Sequence, residues 1–158
     1  MIDKNADVLV VDSDSPLRTE ALGRSLGGAL RAGDVLALDG DLGAGKTVLV
    51  RGLATGAGAD PLIVRSPTFV LHHVYRGTRL TLHHIDCYRL GEYANLDSLD
   101  VDSLVEDGAL AVEWAAYAPQ LEELSAVHVH IEVVGDAQRR ITIRSLPPRL
   151  RAALEAAG

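Results

Sequence analysis

Apolar and polar residues recur along this chain in two periods. VLVVDS at 8–13 is a short apolar run that reads as a strand. Ser15-Pro16 then supplies a helix N-cap and a first-turn proline. Leu17, Ala21, Leu22, Leu26, Ala29 and Leu30 follow at helical spacing, with Gly33 as the stop. DVLALDG at 34–40 is almost wholly apolar, as expected of a strand covered on both faces. TVLVRGLATGAG at 47–58 reads as a helix ending in glycines. LIVRSPTFVLHHVY at 62–75 and RLTLHHIDCYRL at 79–90 are β-rich runs about Gly77, which predicts a hairpin. Leu96, Leu99, Leu104 and Val105 fall at roughly helical intervals, and ALAVEW at 109–114 is another buried-strand pattern. AVHVHIEVVGDAQRRITIRS at 126–145 alternates and turns at Gly135-Asp136, so a second antiparallel hairpin is expected. PPRLRAALEAAG at 147–158 reads as a short terminal helix or a frayed tail. Strands and helices alternate through the middle, which predicts an α/β fold: a mixed β-sheet with flanking helices and a C-terminal β-hairpin.

Composition narrows the class. The chain has 158 residues, 47% of them apolar, enough for one domain over 1–158 with a real core. Its apolar runs are too interrupted for membrane spans. The opening MIDKNADVLVVDSD puts acids where a signal peptide needs an apolar core, so a cytoplasmic protein is expected. The single cysteine, Cys87, excludes an internal disulfide and a Cys-cluster metal site, and reads as a small core residue. A formal net charge of −7 argues against a domain that grips DNA or RNA unaided, since phosphate binding needs clustered positive charge. If RNA is involved, a partner holds it.

The sharpest signal lies between the second predicted strand and its helix. Gly40 to Thr47 reads GDLGAGKT and fits G-x-x-x-x-G-K-[ST] in the strand–helix context a P-loop requires. Glycines let such a loop turn its N–H groups inward at phosphate oxygens, and the following helix adds its positive end. Gly40, Gly43 and Gly45 supply that freedom. The nucleotide-binding stretch is expected to comprise Gly40, Asp41, Leu42, Gly43, Ala44, Gly45, Lys46, Thr47 and Val48, with ATP as ligand. Lys46 would neutralise the β/γ-phosphates, and the Thr47 hydroxyl would bind Mg2+. Of 15 basic residues only Lys4 and Lys46 are lysine. A chain that writes arginine almost everywhere keeps the compact ammonium where a wide guanidinium would not fit.

Phosphoryl chemistry also needs acid near the metal. Asp86 closes one apolar run and Glu113 another, and ligands in open α/β sheets bind outside the carboxyl ends of parallel strands. One acid is expected to hold Mg2+ or its water shell and the other to orient or deprotonate the attacking water; spacing does not decide which. Ser66-Pro67-Thr68 breaks a β run, so it is an edge or loop. It reads either as an ordinary turn or as a hydroxyl loop closing on a γ-phosphate. The six histidines come in pairs. His128 and His130 read as the solvent face of a strand, whereas His84 shares a face with Asp86 and is placed to reach the nucleotide site. A zinc site built on the histidines is conceivable and disfavoured.

No N-K-x-D motif marks a GTPase, no S-G-G-Q marks an ABC protein, and no Arg-rich lid marks a small-molecule kinase. The residues by themselves lead to an Mg·ATP-binding α/β protein that hydrolyses slowly or switches. In their order, GDLGAGKT, VRSPTFVL, HIDCYRL and AVEW resemble the TsaE (YjeE) family, over roughly Ser15 to Ile143. The resemblance implies a P-loop NTPase-like fold. It also implies a bacterial ATPase, weak alone and partner-stimulated. Such a protein supports synthesis of threonylcarbamoyladenosine in tRNAs that read codons starting with A. It implies TsaB and TsaD as partners, with TsaD transferring the threonylcarbamoyl group and tRNA met only through the complex. By position it makes Ser66 and Thr68 part of a switch-like segment, Glu113 a magnesium-associated acid and Asp86 the Walker-B-like residue needed for hydrolysis. Trp114 becomes a neighbour of the nucleotide. His83 and Cys87 depart from the usual pattern, where apolar residues are common. The alternatives are a small-molecule P-loop kinase and a nucleotide switch that does not hydrolyse.

Overall fold

A computed structural model of the chain describes residues 8–64, 72–87, 100–115, 124 and 126–157. The elements run β1 (Val8–Ser13), α1 (Pro16–Ala29), β2 (Val35–Gly40), α2 (Lys46–Gly56), β3 (His72–Arg76), β4 (Thr81–Asp86), α3 (Val101–Asp107), β5 (Ala109–Glu113), β6 (Val127–Val133), β7 (Arg139–Arg144) and α4 (Pro148–Ala157). Among the described residues, seven strands form one sheet in the order β1-β7-β6-β2-β5-β4-β3. The central four, β6-β2-β5-β4, are parallel. β7 and β1 extend them antiparallel on one side, and β3 does so on the other. The sheet is therefore mixed, and both predicted hairpins are present.

The apolar patterns explain the layers. Along β2, Leu36 and Leu38 face a core shared with Leu26, Leu30, Leu49 and Leu53 of the α1–α2 layer, while Val35 and Ala37 face a second core beside α3. A strand packed on both faces needs apolar residues at every position, which is why VLAL runs unbroken. β6 lies nearer the sheet's rim and alternates, with Val127, Val129 and Ile131 buried and His130 exposed. The chain's last stretch is a helix. Leu150 and Leu154, four residues apart, are buried in the first core, and Arg149 donates to the Ala29 carbonyl at 3.0 Å.

Helix α1 starts as its sequence dictates. The Ser15 hydroxyl accepts from the Arg18 N–H at 3.2 Å, and Pro16 takes the first helical position. Its buried face keeps Leu26 and Leu30 of the expected set, with Leu22 and Ala29 packed against the same core, but it is turned away from Leu17. Thr19, Gly23, Leu26 and Gly27 face inward, and Leu17 is 79% exposed. The cause is a close helix crossing. Gly23 and Gly27 meet Gly52 and Gly56 of α2, and a Cβ on Gly52 would collide with the Glu20 carbonyl oxygen. Glycine costs helix propensity, but here it lets two backbones touch.

The run beginning at Leu62 is not strand at its start. Pro61–Ile63 is a 3₁₀ turn, and the Asp60 carboxylate accepts from the Leu62 N–H at 2.9 Å. A local Asp side-chain bond followed by proline outcompetes the sheet there. Leu96, Leu99, Arg89 and the Ser66-Pro67-Thr68 segment lie outside the described residues. Among the described residues, no helix is long and apolar enough to cross a membrane.

Candidate active site

Three parallel strands deliver the site. β2 runs into the glycine-rich loop, β5 ends at Glu113 and β4 ends at Asp86. Leu38 is in register with Glu113, and Glu113 with Asp86. Two acids 27 residues apart in sequence (113 − 86) thus stand side by side at the carboxyl edge of the sheet. That edge is where the sequence placed them, on the condition that the strands be parallel.

The loop's shape depends on two glycines. Gly40 has φ +151°, and a Cβ there would lie 2.6 Å from the Ile131 carbonyl oxygen on β6. Gly45 caps α2 in the left-handed region at φ +114°, and it brings no side chain to cover the first N–H groups of that helix. The ammonium of Lys46 is folded over this loop. Its Nζ donates to the Gly40 carbonyl at 2.5 Å and the Asp41 carbonyl at 2.9 Å, and lies 4.4 Å from the centre of the Trp114 ring. Trp114 holds a left-handed backbone with φ +57°, uncommon outside glycine, and this turns its ring under the lysine. Burial lowers the Lys46 pKa from its usual range, while the charges of Glu113, Asp86, Asp39 and Asp41 oppose that.

Next along α2, the Thr47 hydroxyl donates to Glu113 Oε1 at 3.4 Å. Glu113 is 3% and Asp86 9% exposed, so both acids lie inside the protein rather than on a solvated strand end. The adjacent histidines His83 and His84 part company here, because neighbours on a strand face opposite ways. His84 bonds through Nε2 to Glu113 Oε2. His83 turns to the other layer, where its Nε2 meets Asp107 Oδ2 of α3 at 2.8 Å and its Nδ1 meets His72 Nε2 at 2.9 Å. His84 thus reaches the site through Glu113. Ser66 and Thr68, the expected switch-like pair, lie outside the described residues.

Several residues at the loop carry no local sequence signal. Arg139 opens β7, and its guanidinium donates to the carbonyls of Ala44 at 2.9 Å and Gly43 at 3.4 Å. Holding those carbonyls outward helps the loop's N–H groups to face inward. A cavity of about 160 Å3 lies between the loop and the β6–β7 turn, lined among others by Pro16, Thr19, Val48, Asp136 and Arg139. In sequence, Arg139 is one more basic residue in an alternating strand; only the hairpin's return past the loop brings it there.

The residues fit ATP and Mg2+. A loop whose Gly40 admits no Cβ, a helix N-terminus and a lysine are the donors a polyphosphate needs. A threonine hydroxyl and a carboxylate are hard oxygen ligands, and a magnesium site typically keeps only one or two protein carboxylates.

The family model described as "Threonylcarbamoyl adenosine biosynthesis protein TsaE" matches residues 13–141. The tRNA threonylcarbamoyladenosine biosynthesis protein TsaE of Streptomyces coelicolor is 39% identical over 137 residues, covering 81% of this chain and 90% of that protein. The protein of the same name from Bacillus subtilis is 35% identical over 136 residues, covering 85% and 84%. Among solved structures, the crystal structure of Bacillus subtilis YdiB superposes with a TM-score of 0.72 at 30% identity, covering 95% of this chain and 93% of that one.

Proposed function

The chain belongs to the TsaE family and so to tRNA threonylcarbamoyladenosine biosynthesis, and from that premise we propose that it is the Mg2+-dependent ATPase of the pathway. One observation carries the reading. Lys46 and Thr47 of α2, Glu113 of β5 and Asp86 of β4 converge at the carboxyl ends of three parallel strands. A cation, a hydroxyl and two buried acids behind a phosphate-sized glycine loop are the parts of phosphoryl transfer to water.

In this reading the backbone from Gly40 through Asp41, Leu42, Gly43, Ala44 and Gly45 to Val48 wraps the phosphates. Lys46 exchanges its loop carbonyls for β- and γ-phosphate oxygens. Thr47 and Glu113 would hold Mg2+, which when bound supplies charge neutralisation at those oxygens. Asp86, beside Glu113, orients the water whose oxygen attacks the γ-phosphorus as the bond to ADP breaks. The cavity beside Val48 and Pro16 receives the nucleoside, and Trp114 reports on its arrival. Ser66 and Thr68 would belong to a switch-like segment, as the family resemblance implies. TsaB and TsaD are the protein partners, tRNAs reading codons that start with A are met only through them, and the setting is the cytoplasm.

The deciding experiment is the initial rate of Mg2+-dependent ATP hydrolysis, alone and with the TsaB–TsaD pair of the same organism. A slow rate raised by the pair, and lost in Lys46→Ala together with ATP binding, is the expected result. Intact ATP binding with no stimulation would overturn the ATPase role. Undiminished tRNA modification by a non-hydrolysing Asp86→Asn variant would make the protein a nucleotide switch.

A further inference from the structure

Behind Glu113 lies a row of polar groups that ATP hydrolysis, as read above, does not use. His84 has no exposed surface, Tyr75 is 2% exposed, and both sit on the side of the sheet whose core is built of leucine, alanine, valine and isoleucine. Buried polar groups are expensive unless bonded, and these are bonded in series. The Tyr75 hydroxyl lies 3.4 Å from His73 Nδ1 and 2.9 Å from His84 Nδ1. His84 Nε2 meets Glu113 Oε2, and Glu113 Oε1 accepts from Thr47. The strand register explains the line. His73 pairs with His84 and Tyr75 with Leu82, so His73, Tyr75 and His84 share the sheet face that carries Glu113.

With His84 neutral, the donors and acceptors of this row have one consistent direction. A carboxylate only accepts, so His84 Nε2 carries the hydrogen and donates to Glu113. A neutral imidazole then accepts at Nδ1, so the Tyr75 hydroxyl donates to it and its oxygen takes the His73 Nδ1–H. Each bond fixes the next, and the last one locks a carboxylate whose terminal torsion is otherwise broad. With Oε2 held by His84, Oε1 is left facing Thr47.

We propose that Tyr75 and His84 are positioning residues for the site: the tyrosine hydroxyl holds the His84 tautomer, and His84 holds the Glu113 carboxylate against Thr47. The proposal rests on the reading that Glu113 and Thr47 serve Mg·ATP. It assigns Tyr75 and His84 to turnover rather than to nucleotide affinity, because the phosphates are gripped by the loop backbone and Lys46, whereas these two act only through Glu113. Groups behind a metal-associated ligand typically affect function ten- to a hundredfold.

The test uses the full chain with its partner proteins. Tyr75→Phe removes one oxygen and keeps the ring that packs the core. Its kcat for ATP hydrolysis should fall by about tenfold or more, while KM and the Mg·ATP affinity read by Trp114 fluorescence stay within about twofold. His84→Gln, whose amide still donates to Glu113 without needing Tyr75, should retain more activity than His84→Ala. Adding Tyr75→Phe to His84→Gln should cost nothing further. A long-range proton–nitrogen NMR spectrum of the unmutated protein gives a check free of variants: His84 should be the Nε2–H tautomer. An Nδ1–H tautomer, or full kcat in Tyr75→Phe, overturns the proposal. Glu113→Gln with wild-type turnover would instead sink the reading of the site itself.

Discussion

Cys87 follows Asp86 directly and has no exposed surface. Burial pushes its thiol from 9.0 up to about 12, with the charges of Asp86 and Asp39 adding to the effect. The rise from 9.0 to about 12 lowers the thiolate fraction on the order of a thousandfold, and the thiolate is the reactive form. A disulfide reagent at pH 8 should therefore label the folded protein far more slowly than the same chain in denaturant. Labelling at similar rates in both would contradict the buried placement. The sequence alone marks Cys87 as a small core residue, because a lone cysteine in an apolar run has few other roles. Trp114 is different. Its presence after Glu113 is legible, but its left-handed backbone and the lysine above its ring depend on how β5 ends beside the loop.

The pairing of α1 with α2 turns on glycine in a way that periodicity hides. A leucine-based pattern puts Leu17 inside, yet the helices approach along Gly23, Gly27, Gly52 and Gly56, and Leu17 is left outside. Because α2 carries Lys46 and Thr47 at its start, this crossing also sets where the site's cation and hydroxyl stand. Gly52→Ala should destabilise the fold by roughly 1–3 kcal/mol, since a Cβ has only backbone to push against. Gly28→Ala, on the same α1 helix but with nothing within 4 Å of a new Cβ, should be neutral or stabilise by up to about 1 kcal/mol. Paired denaturant titrations decide it. Equal effects at the two positions would mean that the close crossing does not hold in solution.

For the whole molecule, the balance of charge points away from direct nucleic-acid binding. A net charge of −7 repels a polyanion unless basic residues cluster, and the basic side chains at the site are committed inward: Lys46 and Arg139 both donate to loop carbonyls. The proposed reading therefore predicts that labelled tRNA shows no salt-sensitive gel shift with this chain alone at micromolar concentration. A shift should appear once the TsaB–TsaD pair is added. Tight, salt-dependent binding by the isolated chain would require a basic surface and a different division of labour with the partners.

The amino-acid sequence by itself determined what depends on neighbours a few residues apart. The Ser15-Pro16 cap, the doubly buried run VLAL, the glycine loop with its lysine, and the turn at Gly135-Asp136 are all short-range preferences of backbone and solvent. Tertiary structure decided what depends on register and long-range return of the chain. Parallel pairing of β4 with β5 set Asp86 beside Glu113, and it gave His84, already on the face of Asp86 by alternation, its partner Glu113, while α3 gave His83 its partner Asp107. The C-terminal hairpin brought Arg139 back over a loop 95 residues earlier, a contact of two backbones' paths rather than of any local motif.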